Sequence, residues 1–219
     1  LPDERTLEPR DVKHLVIAGW TGRDQGALEA HIRELEALGI ARPKSTPIFY
    51  RVAASLLTTA ERIEVIGGES SGEVECIVYA LDGGLWLGLG SDHTDRKAEA
   101  LGVTLSKQMC AKPVGARLWR FADVAPHWEK LVLRSFVTRG GKRRLYQEGP
   151  VTTMRPSEEL IRLYTGGAEL PSGSAMFCGT LAVHGAIEGG ERFEMELDDP
   201  VLGRTLTHAY AIEQLPVEG

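Results

Sequence analysis

The sequence is poor in cysteine and in aromatic residues, and it has no excess of positive charge. Three cysteines, Cys76, Cys110 and Cys178, are scattered and odd in number, and no C-x-x-C pair occurs. That pattern excludes a disulfide framework and a zinc ribbon, and it suits a reducing cytoplasm. No apolar run reaches the roughly 20 residues that a membrane-spanning helix needs, and no signal-peptide pattern opens the chain. The formal net charge is −6, so no basic stripe is available to neutralise a nucleic-acid backbone. The cluster Lys142-Arg143-Arg144 is short and follows Gly140-Gly141, where a hairpin tip is expected. Closely spaced histidines on one strand, which a cupin-like metal barrel would want, do not occur. Internal repeats and low-complexity stretches are absent too. The expected partner is therefore a small molecule, with neither nucleic acid nor membrane involved.

The 219 residues are 42% hydrophobic and 26% charged, the balance of one globular domain with a substantial core. Segments rich in Val, Ile, Leu and aromatic residues alternate with Gly, Pro and Asp turns, so the expected class is α+β, dominated by β. Residues 1–27 read as an N-terminal arm and strand, with the strand over Val12 to Ala18. Residues 28–219 read as the body of the domain. Asp24 is placed to cap a helix that runs to about Leu38 and stops at Gly39. Leu28, Ile32, Leu35 and Leu38 form its apolar stripe, and His31 and Glu34 sit together on its flank at i and i+3. Asp82-Gly83-Gly84 signals a hairpin between Glu73–Ala80 and Leu85–Leu89. Leu118–Phe121 is an expected strand, and Pro156 is expected at the first position of a helix.

The chemistry concentrates between Ser70 and Lys107. Glu73 and Glu75 are two residues apart, so on a strand both carboxylates point the same way. Asp92 follows the next apolar strand. Three carboxylates without a cysteine or histidine pair suit a hard, oxygen-seeking ion such as Mg²⁺ or Mn²⁺. The blander reading of Glu-x-Glu is the solvent-facing side of a half-buried strand. His93 and Asp95 flank Asp92 and could orient it or merely belong to a surface turn. Trp86, Trp119 and Trp128 are expected in the core, and no histidine adjoins Cys110 or Cys178 to make either a nucleophile.

Several motifs, in order, resemble the fumarylacetoacetate hydrolase superfamily, catalytic-domain type. They are Gly72-Glu73-Val74-Glu75, the turn from Gly90 through Asp92 to Arg96, the segment Lys107 to Pro113, Gln147 ahead of Glu159-Leu160-Ile161, Gly179-Thr180, and the tail Asp199 to Leu206. The resemblance runs from about Ala30 to Ile212. It implies a mixed β-roll with a divalent metal, Mg²⁺ or Mn²⁺, on Glu73, Glu75 and Asp92. Lys107 would face the reacting oxygens, and Arg96, Gln147, Gly179 and Thr180 would bind substrate. His31 and Glu34 match the family's water-activating His-x-x-Glu dyad. The implied reaction is hydrolysis of a C–C bond in a small 2-oxo acid, an acylpyruvate or β-diketo acid, in a homodimer. Decarboxylation, isomerisation and dehydration are alternatives on the same site, as is a homologue that binds a dicarboxylate without turnover. Leu181, where the family commonly has proline, and Lys97 after Arg96 mark a divergent branch.

Overall fold

The computed structural model describes residues 4–37 and 42–218, without the side chains of residues 31, 34, 35 and 37. Two sheets organise the chain. The larger has seven strands in the order Glu4–Thr6, Arg117–Arg120, Gly84–Ser91, Val74–Leu81, Ser174–Thr180, His14–Gly19, Ile48–Val52. The smaller has five, in the order Lys142–Pro150, Val132–Arg139, Arg192–Asp199, Arg204–Leu215, Arg62–Ile66. Both are mixed: Ser174–Thr180 runs parallel to His14–Gly19, and Arg204–Leu215 parallel to Arg62–Ile66, while the hairpins are antiparallel. This is the β-dominated α+β architecture the segment pattern implies. No helix among the described residues is long and apolar enough to cross a membrane.

Val74–Leu81 is the central strand, and all eight of its residues are buried. Strand geometry sends alternate side chains to opposite faces. Val74, Cys76, Val78 and Ala80 join a core that also takes Leu133, Tyr146, Phe193, Met195, Leu197 and Tyr210 from the five-stranded sheet. Ile77, Tyr79 and Leu81 face a second apolar cluster with Leu15, Ile17, Tyr50, Val52 and Phe177. Glu75 shares the parity of Ile77, so it stands at the end of an otherwise apolar stripe. Burying a leucine- or phenylalanine-sized side chain contributes about 1.5–3 kcal/mol. A two-sided core can therefore hold a few costly polar groups at its rim. Gly90 makes the packing possible: a Cβ there would lie 2.5 Å from Ile77 Cδ1.

Most elements lie where the sequence puts them, with short displacements at their ends. The strand after Gly72 starts at Val74, because the Glu73 N–H is taken by Ser91 Oγ at 3.2 Å. Phe121 opens a short helix, Phe121–Val124, and does not extend the preceding strand. Pro156 is the residue before the helix Ser157–Thr165 and not its first member, and Gly166 closes that helix in the left-handed conformation, φ 70°. The helix Gln25–Ala37 is capped by Asp24 Oδ1, which accepts from the N–H groups of Gly26 and Ala27 at 2.8 and 3.0 Å. Its expected stop at Leu38 and Gly39 lies outside the described residues. Trp119 is fully buried and Trp86 nearly so, while Trp128 packs on Phe121 with ring centroids 5.6 Å apart.

Candidate metal centre

Glu73, Glu75 and Asp92 converge. Each presents one carboxylate oxygen, and these atoms all lie within 4.8 Å of one another. The β-hairpin makes the meeting: Glu75 pairs with Gly90 across the ladder, and the Asp92 N–H donates to Glu73 O at 3.0 Å. Glu75 is 2% exposed and Asp92 fully buried, so the solvent-facing reading of Glu-x-Glu does not hold here.

The protein meets at least one oxygen of each carboxylate. Arg96 Nη2 lies 3.1 Å from Glu73 Oε1. The Gly179 N–H donates to Glu75 Oε2 at 2.6 Å. Lys112 Nζ lies 3.1 Å from Asp92 Oδ1. Lys107 Nζ bridges two carboxylates, donating to Asp92 Oδ2 and standing 3.6 Å from Glu73 Oε2.

Burial drives the Glu75 pKa well above the usual carboxylate range, and the charges of Asp92 and Glu73 push it further; Lys107 and the Gly179 N–H oppose them. Burial pushes Asp92 the same way but is outweighed by Lys107 and Lys112, which hold it below its ordinary value. For Lys107, burial is outweighed by Asp92 and Glu73, so its pKa is raised and the ammonium is retained. Burial and the neighbouring Lys107 together lower Lys112 in spite of Asp92. A buried carboxylate that resists ionisation among two others, in a set made only of oxygen donors, fits a hard divalent cation.

The four residues expected at the substrate are used differently. Gln147 is fully buried, and its Oε1 accepts from the Val74 N–H at 3.1 Å and the Ser135 hydroxyl at 2.9 Å. Its Nε2 donates to Thr180 Oγ1 at 2.8 Å and Leu181 O at 2.7 Å, so no donor or acceptor is left for a ligand. The Thr180 hydroxyl donates to Val74 O at 2.8 Å. The Gly179 N–H is occupied by Glu75. Arg96 Nε donates to Ser71 Oγ at 2.7 Å and Nη1 to Glu99 at 3.2 Å, with Nη2 on Glu73. These groups build the frame of the carboxylates. His31 and Glu34 lie on the helix Gln25–Ala37, and their side chains are outside the described residues.

His93 settles as a buried structural residue. Its rings nitrogens meet Tyr210 Oη and Ser70 Oγ, both at 2.9 Å, and Tyr210 donates in turn to Ser91 Oγ at 2.9 Å. Burial, with Lys112 and Arg96 nearby, lowers its pKa to about 3, so it is neutral. Asp95 caps the short helix Arg96–Glu99 by accepting from the Ala98 N–H at 2.8 Å. All three cysteines are buried. Burial raises Cys110 to about 11, against the pull of Lys112. Sequence reasoning missed Lys112 and the Ser70–His93–Tyr210–Ser91 chain. The one available signal was a lysine set between apolar neighbours in Cys110-Ala111-Lys112-Pro113-Val114.

The model of a family described as Protein of unknown function (DUF2848) matches residues 18–210. The chain belongs to the DUF2848 family. No curated protein matches the sequence. Among solved structures, the chain is similar to yeast ynq8, a fumarylacetoacetate hydrolase family protein, at 17% identity and TM-score 0.67, covering 96% of each chain. It is also similar to 2-keto-3-deoxy-D-arabinonate dehydratase complexed with magnesium and 2,5-dioxopentanoate, at 19% identity and TM-score 0.66, covering 94% of this chain and 75% of that one. A third likeness is to Cg1458 with inhibitor, at 16% identity and TM-score 0.68, covering 94% and 78%. At these identities the likeness is one of fold. This DUF2848 chain thus has the fumarylacetoacetate hydrolase fold that its motif order implies.

Proposed function

We propose that this DUF2848 protein is a divalent-metal-dependent enzyme that hydrolyses a C–C bond in a small 2-oxo acid of the acylpyruvate or β-diketo type. The observation that carries the reading is the carboxylate triad, with Glu75 and Asp92 buried, Glu73 half-buried, and one oxygen of each within 4.8 Å of the others. The solved dehydratase of the same fold, complexed with magnesium and 2,5-dioxopentanoate, supports the same ligand class.

Glu73, Glu75 and Asp92 would hold Mg²⁺ or Mn²⁺, which when bound supplies Lewis acidity to the oxygens of a 2-oxo acid. Lys107 places a permanent positive charge beside the triad, where the carbonyl oxygen of the substrate gains negative charge as the bond breaks. Tyr50 is 8% exposed and lies over the ammonium, 5.9 Å from Nζ to the ring centroid, which limits its contact with water. The Thr180 hydroxyl keeps one acceptor position and suits a donor on the substrate, such as an enol or hydroxyl. We assign to His31 the removal of a proton from the attacking water, with Glu34 holding its tautomer.

A dehydratase is the second reading, favoured by the likeness in fold to 2-keto-3-deoxy-D-arabinonate dehydratase. The first test is a thermal melt of chelator-stripped protein with Mn²⁺, then with Mn²⁺ and oxalate, on wild type and Glu75→Ala. Mn²⁺ should raise the melting temperature and oxalate raise it further, in wild type alone. If neither moves the wild-type curve, the metal reading is wrong. Pyruvate release from acylpyruvates then separates the reactions: His31→Ala should lower hydrolysis by about 10²–10⁴-fold.

A further inference from the structure

Tyr210 belongs to the last strand, Arg204–Leu215, of the five-stranded sheet, yet its hydroxyl meets the hairpin of the other sheet that carries the carboxylates. It touches the residues on either side of Asp92. Its Oη donates to Ser91 Oγ at 2.9 Å and lies 2.9 Å from His93 Nδ1. With the phenol proton on Ser91, the proton between Tyr210 and His93 is the one on Nδ1, which leaves Nε2 to accept from Ser70 Oγ at 2.9 Å. Ser91 Oγ also accepts from the Glu73 N–H at 3.2 Å, so the same chain of bonds reaches a second member of the triad. Ser70, Ser91, His93 and Tyr210 are all buried. A buried polar atom left unpaired is costly, so the chain has little freedom to rearrange.

We propose that Tyr210 is a positioning residue that, through its one hydroxyl, sets the separation of Glu73 and Asp92 and with it the affinity for the divalent cation. The inference rests on the metal reading of the triad. The ladder of the hairpin ends at Val74 paired with Ser91, so Glu73 and Asp92 stand just beyond it, joined by the bond from the Asp92 N–H to Glu73 O at 3.0 Å. Ser91 Oγ on the Glu73 N–H closes the other side of this end, and Tyr210 holds the Ser91 hydroxyl in place. The Tyr210 ring packs on Phe193 with centroids 5.7 Å apart, and Phe193 fills the space beside Gly72, where a Cβ would lie 2.8 Å from its ring. Tyr210→Phe keeps that packing and removes only the hydroxyl. Groups that orient metal ligands matter because the donor oxygens must be held in place before the ion arrives.

The test is titration of the chelator-stripped full chain with Mn²⁺, read by electron paramagnetic resonance of the free ion, beside thermal melts in chelator. It is run on wild type, Tyr210→Phe, Ser91→Ala and Leu206→Ala. Tyr210→Phe should weaken Mn²⁺ binding by about 10–100-fold. Ser91→Ala tests the same bond from its other end and should weaken binding at least as much, since it also releases the Glu73 N–H. Leu206 lies in the same core and on the same strand as Tyr210 but takes no part in the bonded chain. Leu206→Ala should therefore lower the melting temperature at least as far as Tyr210→Phe, while binding Mn²⁺ within about twofold of wild type. Binding by Tyr210→Phe or Ser91→Ala within about twofold of wild type overturns the proposal. So does a loss of affinity that tracks the loss of melting temperature alike in Tyr210→Phe and Leu206→Ala, the mark of a purely structural role. Both failures leave wild type binding Mn²⁺. If wild type itself binds none, the metal reading has fallen and this proposal with it.

Discussion

Glu75→Gln should stabilise the protein without metal and abolish most of its response to metal. Glu75 lies within 4.8 Å, ligand atom to ligand atom, of both Glu73 and Asp92. At an effective dielectric of about 20, two unit charges at that separation repel by about 3.5 kcal/mol. Lys107 and Lys112 offset part of that, so above the pH at which folded Glu75 ionises the net relief on removing its charge is roughly 1–3 kcal/mol. The glutamine oxygen can still accept from the Gly179 N–H, so the fold loses no backbone bond. In a domain of this size, 1 kcal/mol moves the melting temperature by about 2–4 °C, so the variant should melt roughly 3–10 °C above wild type in chelator. With Mn²⁺ at about 100 times its dissociation constant, wild type should gain about 2.7 kcal/mol, the variant much less, and the order of melting should invert. The pH dependence has a definite sign. The folded chain holds the Glu75 proton to higher pH than the unfolded chain, so above the ordinary value of 4.5 the folded state binds more protons. Metal-free wild type should therefore lose stability as pH rises from there towards the raised Glu75 value, and Glu75→Gln should not. Differential scanning calorimetry across pH, with and without Mn²⁺, reads all of this. A variant that melts below wild type in chelator, or one that responds to Mn²⁺ as wild type does, refutes the reasoning.

Two further tests probe the frame. At Gly179 the φ is 99°, and a Cβ would lie 1.8 Å from Thr21 Oγ1, so Gly179→Ala should cost roughly 2–5 kcal/mol in urea denaturation, from backbone strain plus the clash. Thr21→Ala in the same chain should recover part of it, while Gly83→Ala, with φ 87° and open space around it, should cost only about 1 kcal/mol; additivity of the first pair would be the contrary result. At Asp199, burial is outweighed by His127 Nε2 at 2.9 Å, the Leu202 N–H at 3.2 Å and Arg204 Nε at 3.2 Å, and its pKa is lowered. Its contribution is present at neutral pH and lost as pH falls through the lowered value, so Asp199→Asn should cost roughly 1.5–3 kcal/mol at pH 7 and much less in acid, compared by denaturant midpoints at both.

Local patterns along the chain determine its turns and strands. Asp82-Gly83-Gly84 announced a hairpin because only a few residue types accept the left-handed conformations of a tight turn, and Gly83 and Gly84 adopt φ of 87° and 116°. The alternation expected along Glu73–Ala80 placed Glu73 and Glu75 on one side, because a strand has a period of two, whatever it packs against. The order of short motifs was enough to indicate the fold. Three oxygen donors without sulfur or imidazole suit few cations, and the family resemblance points to the same three carboxylates.

What tertiary structure alone decided is which partner each polar atom takes. Arg96, Gln147 and Gly179 were legible as residues of the site; that they hold Glu73, Val74 with Thr180, and Glu75 was not. Tyr210, from the last strand, meets His93 across 117 residues, and Gln147 meets Val74 across 73. Lys112 is 20 residues from Asp92 in the chain and carried almost no signal. Periodicity and turn chemistry act over a few residues and can be read along the chain. Hydrogen bonds and ion pairs in a buried site join segments brought together only when both sheets pack. Their cost when unmet is high, so the fold satisfies them with whichever donor the packing delivers.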